Sequence, residues 1–107
     1  MRVTVIYWPE CHSYKEAIER VQKVLAEDAI QADIEVLEVN TEEEARRTGF
    51  AGSPTILVDG QDIDPASRDE SGRLSCRTYT KSDGSLGPLP DTTKIREAIR
   101  ARIGAEE

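Results

Sequence analysis

Two short segments, each containing a proline, constrain the fold of this chain more than any other feature. In Trp8–Tyr14, Pro9 ends a strand and Cys11 opens a helix. In Gly52–Thr55, Pro54 stands directly before another strand, where a residue without a backbone N–H suits a turn and can be cis. Unpaired N–H groups and the helix dipole at a strand-to-helix junction favour a cysteine thiolate. Together the segments indicate thiol chemistry at Cys11, with a depressed pKa.

Hydrophobic periodicity predicts a single α/β domain over 1–107 with the element order β-α-β-α-β-β-α. The predicted strands are Arg2–Tyr7, Ile34–Val39, Thr55–Val58 and Leu74–Thr80, and the predicted helices run from Cys11 to about Glu27, from Thr41 to Gly49 and from Asp91 onward. A right-handed crossover makes the first two strands parallel, and the last two form an antiparallel pair. We therefore expect a four-stranded mixed sheet covered by helices on both faces.

The net charge and the hydropathy of the chain limit which partners and which cellular compartment are expected. The net charge of −7 argues against nucleic acid, whose binding depends on Lys and Arg contacts. No apolar run reaches the ~18 residues of a membrane span, so no membrane partner is expected. The N-terminus is too short for a signal peptide, which predicts a cytoplasmic protein with two free thiols.

The polar residues 61–73 are predicted to form a loop. Its acidic side chains, together with that of Asp59, are expected to be solvated rather than to hold a cation, and no set of residues has zinc-site spacing. We therefore expect no metal and no cofactor.

With these elements in place, the chain resembles the thioredoxin-fold superfamily over nearly its whole length. Trp8–Tyr14 is similar to the glutaredoxin segment in which Pro-Gly precedes Cys-x-x-Cys, so Cys11 falls on the nucleophilic cysteine. Ser53, Pro54 and Thr55 resemble the cis-proline loop that faces this cysteine and binds the backbone of a thiol substrate. The resemblance implies a thioredoxin-like three-layer fold and a thiol–disulfide oxidoreductase.

Two departures from the family pattern shape the expected mechanism. Tyr14 stands where the resolving cysteine would lie, and Asp59-Gly60-Gln61-Asp62 replaces the double-glycine signature for glutathione. The resemblance therefore implies a monothiol enzyme. The Cys11 thiolate would attack a disulfide of a protein or a low-molecular-weight thiol, and an external thiol would then resolve the mixed disulfide.

Several neighbours of Cys11 are candidate site residues. Ser13 and Tyr14 can donate hydrogen bonds to its sulfur, which makes them catalytic candidates. Trp8 and His12 are substrate-binding candidates. The simpler alternatives are that Trp8 packs in the core and that His12 is merely exposed. The remaining substrate-binding candidates, from the second segment, are Ser53, Pro54 and Thr55.

Cys76 is a candidate resolving thiol, but the predicted strand pairing argues against that role. If Leu74–Thr80 pairs with Thr55–Val58, Cys76 lies opposite the far end of that strand, ~10 Å along it, whereas a disulfide needs Cα atoms within ~7 Å. A structural or unrelated role is favoured.

Two alternative functions stay open. One is a non-catalytic binding module, because fold alone does not establish function. The other is soft-metal or organomercurial handling by Cys11 and Cys76. The cysteine spacing is similar to that of alkylmercury lyases, although Tyr14 stands where they have an aspartate.

Overall fold

The computed structural model describes residues 1–106 and shows an α/β fold. The strands are β1 (Arg2–Tyr7), β2 (Asp33–Glu38), β3 (Thr55–Val58), β4 (Gln61–Asp62), β5 (Tyr79–Thr80) and β6 (Leu86–Gly87), and the α-helices are α1 (Tyr14–Glu27), α2 (Glu42–Thr48) and α3 (Thr92–Glu106). Strands β1 to β4 form a mixed sheet in the order β2-β1-β3-β4, in which β2 is parallel to β1 and the other pairs are antiparallel. The expected four-stranded mixed sheet with helices is confirmed.

The sheet carries apolar side chains on both faces, because successive residues of a strand point to opposite sides. One face packs against α1 and α3 through Val3, Val5, Val21, Val24, Ile56, Ile95 and Ile99, all buried. The other face packs around α2 through Ile6, Val39, Ala45 and Phe50. Within the described residues, no helix has both the length and the apolar character that crossing a bilayer requires.

The fourth strand of the sheet is not the predicted Leu74–Thr80. Asp59 and Gly60 both have positive φ, +49° and +84°, and turn the chain back at once. Strand β4 therefore pairs with β3 through Leu57 and Asp62. Because β4 already occupies this edge, Leu74–Thr80 lies outside the sheet, and its last two residues form β5, which pairs with β6.

Helix α1 begins later than predicted, at Tyr14 rather than at Cys11. The Cys11 N–H donates to the Trp8 carbonyl at 2.9 Å, which closes a turn rather than the first turn of the helix. The first bond into the helix runs from the Ala17 N–H to the Ser13 carbonyl at 3.1 Å. Cys11 therefore lies in the turn between β1 and α1, before the helix starts.

Candidate functional site

Cys11 and Cys76 are joined by a disulfide, with their Cα atoms 5.8 Å apart. This separation is normal for a disulfide. The expectation that Cys76 lies too far from Cys11 is wrong, because it assumed that Leu74–Thr80 pairs with β3, whereas β4 holds that position. Both cysteines of the chain are in this bond, so the expectation of two free thiols is also contradicted.

Ser53 brings Cys76 to this position through its backbone. The Ser53 N–H donates to the Ser75 carbonyl at 2.8 Å, and the Ser53 carbonyl accepts from the Arg77 N–H at 3.0 Å. These two bonds form a parallel bridge with Cys76 at its centre. The backbone groups that were expected to bind a substrate are therefore occupied by the chain's own residues in this structure.

Ser53 also contacts the turn that carries Cys11. Its hydroxyl accepts a hydrogen bond from the Trp8 N–H at 2.9 Å. The Cys11 Sγ lies 3.7 Å from the Ser53 carbonyl oxygen. The Ser53–Pro54 peptide bond is cis, and the Pro54 carbonyl accepts from the buried Tyr79 hydroxyl. The loop before β3 thus contacts the segments that contain both cysteines.

The two cysteines differ in their access to solvent. Cys11 keeps only 5% of its surface exposed, whereas Cys76 is an exposed residue. The rate of thiol–disulfide exchange depends on which sulfur an attacking thiol can reach. The Cys76 side of the disulfide is therefore the more accessible side for an external thiol.

The candidates of the first segment surround Cys11, but within the described part of the chain neither Ser13 nor Tyr14 hydrogen-bonds its sulfur. Ser13 is the N-cap residue of α1, and its side chain makes no capping bond. The Tyr14 ring stacks on Tyr7, with centroids 3.9 Å apart. Trp8 packs against the α2-side cluster, and His12 is exposed.

Burial and the neighbouring Glu38 carboxylate, which accepts from the Tyr7 hydroxyl at 3.1 Å, both raise the pKa of Tyr7. The Tyr7 hydroxyl therefore remains neutral at physiological pH. Thr55 is fully buried, and its hydroxyl accepts from the Ala51 N–H and donates to the Gly52 carbonyl. Thr55 therefore shapes the loop before β3.

Sequence reasoning missed Arg77 and misplaced Asp62. The Arg77 side chain is completely buried, and both of its Nη atoms donate to the Asp62 carboxylate at 2.8 Å. Burial alone would raise the pKa of Asp62, but the hydrogen bond from Arg77 and that from the Asp64 N–H hold it below its usual value. The expectation of a solvated acidic loop is wrong for Asp62, whose side chain is 4% exposed, and for Asp64, which is buried. The one sequence signal that pointed to Arg77 was its place directly after Cys76.

Among the side chains that the structure describes, no group of three or more His, Cys, Asp or Glu is placed to hold a metal ion. Two clefts, of about 550 and about 670 Å³, lie around Met1 at the other end of β1 from Cys11. Soft-metal handling by the two thiols stays a prediction, because it requires the disulfide to be reduced first.

No protein-family model, no curated protein and no solved structure matches the chain. The functional inference therefore depends on the geometry of the cysteine pair and on the two motifs that surround it.

Proposed function

We propose that this protein is a thioredoxin-like thiol–disulfide oxidoreductase whose redox centre is the Cys11–Cys76 pair. The observation that carries the proposal is the asymmetry of the disulfide, which joins a buried cysteine to an exposed one. A disulfide with one accessible sulfur can exchange with an external thiol, whereas a fully enclosed cross-link cannot.

The arrangement of elements supports the thioredoxin-like part of the proposal. Cys11 follows β1 and precedes α1, β2 runs parallel to β1, and β3 runs antiparallel to it. The Ser53–Pro54 loop leads into β3 and contacts the Cys11 sulfur. Unlike in Cys-x-x-Cys proteins, the second cysteine of the pair comes from a distant part of the chain rather than from the start of α1.

The first step of the proposed reaction is attack by a substrate thiolate on the Cys76 Sγ. A new bond forms between the substrate sulfur and Cys76, the Cys11–Cys76 bond breaks, and Cys11 leaves as a thiolate. The thiolate then takes a proton from solvent, and the resulting thiol can donate to the Ser53 carbonyl 3.7 Å away.

The second step releases the product. The second thiolate of a dithiol substrate attacks the substrate sulfur of the mixed disulfide, and Cys76 leaves as a thiolate that is then protonated. Two electrons pass from the substrate to the protein, which ends as the dithiol, while the substrate ends as a disulfide. In reverse, the same steps reduce disulfides. The monothiol mechanism, in which an external thiol resolves the mixed disulfide, stays a prediction. In the Cys11–Cys76 pair, the second cysteine of the protein could resolve it instead.

The test is the equilibrium of the oxidised protein with mixtures of glutathione and glutathione disulfide, followed by thiol alkylation and mass spectrometry. We expect reversible reduction of the pair, and a glutathione adduct on Cys76 in a Cys11→Ser variant. The matched control is Cys76→Ser, in which the buried Cys11 should form this adduct more slowly. A disulfide that stays oxidised below about −300 mV would instead indicate a structural cross-link in a non-catalytic binding module.

A further inference from the structure

Arg77 directly follows Cys76, and its side chain is fixed from several directions. Its guanidinium binds both oxygens of Asp62 at 2.8 Å. The same group donates to the Asp64 carbonyl at 2.7 Å and to the Ser67 hydroxyl at 2.9 Å. It also lies 4.3 Å from the centroid of the Tyr79 ring. The residue next to the exposed cysteine is therefore anchored inside the protein.

Displacement of the Arg77 side chain from Asp62 would cost a large free energy. The Arg77 side chain is completely buried and that of Asp62 is 4% exposed, so displacing either one leaves a buried charge without its partner. The backbone is equally confined, because the Arg77 N–H is bound to the Ser53 carbonyl. A Cβ placed on Gly52 would come within 2.7 Å of the Arg77 Cβ, which shows how closely the two segments approach.

We infer that Arg77, held by Asp62, is a positioning residue that keeps Cys76 against Cys11 and so sets the redox equilibrium of the pair. The inference rests on the proposed oxidoreductase function. In the reaction with glutathione, the protein disulfide and two glutathione molecules give the protein dithiol and glutathione disulfide. The equilibrium constant for this exchange reflects the effective concentration of one protein thiol at the other.

The side-chain partners of Arg77 are Asp62, Asp64, Ser67 and Tyr79 and include neither cysteine, so we expect the same contacts to hold Cys76 near Cys11 in the reduced protein. This high effective concentration favours re-formation of the bond. When the anchor is weakened, the bridge at Ser53 is left to hold the segment, and Cys76 samples more positions. The disulfide then becomes easier to reduce.

The test compares the glutathione equilibrium of wild-type protein with that of an Arg77→Lys variant. Lysine keeps the charge but cannot form the forked bond to Asp62 while also reaching Asp64 and Ser67. We expect the equilibrium to move about tenfold or more toward the dithiol, which is about 30 mV toward a more oxidising potential. The matched control is Arg68→Lys. Arg68 also binds Asp62 at 2.8 Å, but it is partly exposed and remote in sequence from Cys76, so we expect less than about a twofold change.

A second measurement separates positioning from a purely structural role. Urea unfolding of the oxidised and the reduced forms gives the stability of each. If Arg77→Lys lowers both stabilities equally and leaves the glutathione equilibrium unchanged, the inference is overturned. If wild-type protein titrates and the variant does not shift, only the inference fails. If the wild-type disulfide does not titrate at all, the proposed function fails together with the inference.

A milder variant keeps the inference testable if Arg77→Lys does not fold. Ser67→Ala removes one neutral partner of Arg77 and leaves the ion pair with Asp62 in place. We expect a shift of about two- to fivefold in the same direction, because the loss of this hydroxyl weakens the anchor less than the loss of the forked bond to Asp62. An unchanged equilibrium in a folded Ser67→Ala protein would count against the inference.

Discussion

The sheet region, residues 1–62, and the segment 63–91 that connects β4 to α3 are held together by different forces. The sheet region buries apolar side chains on both faces of β1 and β3. The 63–91 segment has short strands and folds around the guanidinium of Arg77, which is anchored to Asp62 at the end of the sheet. Each part supplies one cysteine of the disulfide.

Because of this difference, mutations are expected to destabilise the two parts in different ways. Apolar burial is proportional to area and is shared among many contacts, so small changes are spread over the core. A buried ion pair depends on both partners, and removal of one leaves an uncompensated charge. The Cys11–Cys76 disulfide therefore joins a region that tolerates small changes to one that depends on a few polar contacts.

The largest expected effect tests the polar anchor. Asp62→Ala leaves the Arg77 charge buried without its carboxylate, and we expect the free energy of unfolding to fall by about 3–5 kcal/mol. Urea unfolding monitored by circular dichroism measures this loss. The matched control is Asp83→Ala, which removes an exposed carboxylate of the same segment and should change stability by less than about 0.5 kcal/mol. A loss below about 1 kcal/mol for Asp62→Ala would show that the anchor does not hold the segment.

An intermediate effect tests whether the two parts open separately. Cys76→Ser removes the disulfide, and we expect a loss of about 2–4 kcal/mol in the free energy of unfolding. Hydrogen exchange should increase mainly in the 63–91 segment and much less in β1 and β3, because the apolar core does not depend on the bond. Reduced wild-type protein is the control and should show the same pattern. Equal loss of protection in both parts would mean that they unfold as one unit.

The smallest effect lies within the sheet region and compares two helix N-caps. The Thr41 hydroxyl accepts from the Glu44 N–H at 3.1 Å, whereas Ser13 makes no such bond at the start of α1. We expect Thr41→Ala to cost about 1 kcal/mol of unfolding free energy and Ser13→Ala less than about 0.5 kcal/mol. Thermal unfolding of the two variants checks the order, and equal losses would contradict it.

Much of the sheet region could be predicted because its signals are local. The alternation in Arg2–Tyr7, the apolar spacing of α1 and the apolar run of β3 each report a periodic structure. The cap at Thr41 and the left-handed Gly49 that ends α2 were also predicted. These features involve residues within about four positions of each other, where the geometry of the chain leaves few choices.

The 63–91 segment could not be predicted in the same way. Strand β4 has only two residues, too few to show alternation, so the sequence pattern places Leu74–Thr80 at the sheet edge instead. The predicted start of α1 at Cys11 is likewise too early. The hydrogen bond from the Cys11 N–H to the Trp8 carbonyl closes a turn there, and the helix begins only at Tyr14. The first error assigns the wrong segment to the sheet edge, and it concealed the partner of Cys11; the second concerns only a helix boundary.

The sequence by itself determined where β1, β2, β3 and the three helices form, to within a few residues, and that Cys11 stands at the junction between β1 and α1. Only the tertiary structure decided that Cys76 reaches Cys11 and that Arg77 is buried against Asp62. The reason is physical. Periodicity and capping arise from neighbours along the chain, whereas a disulfide across 65 residues and a buried ion pair depend on how a segment without periodicity is folded back against the sheet.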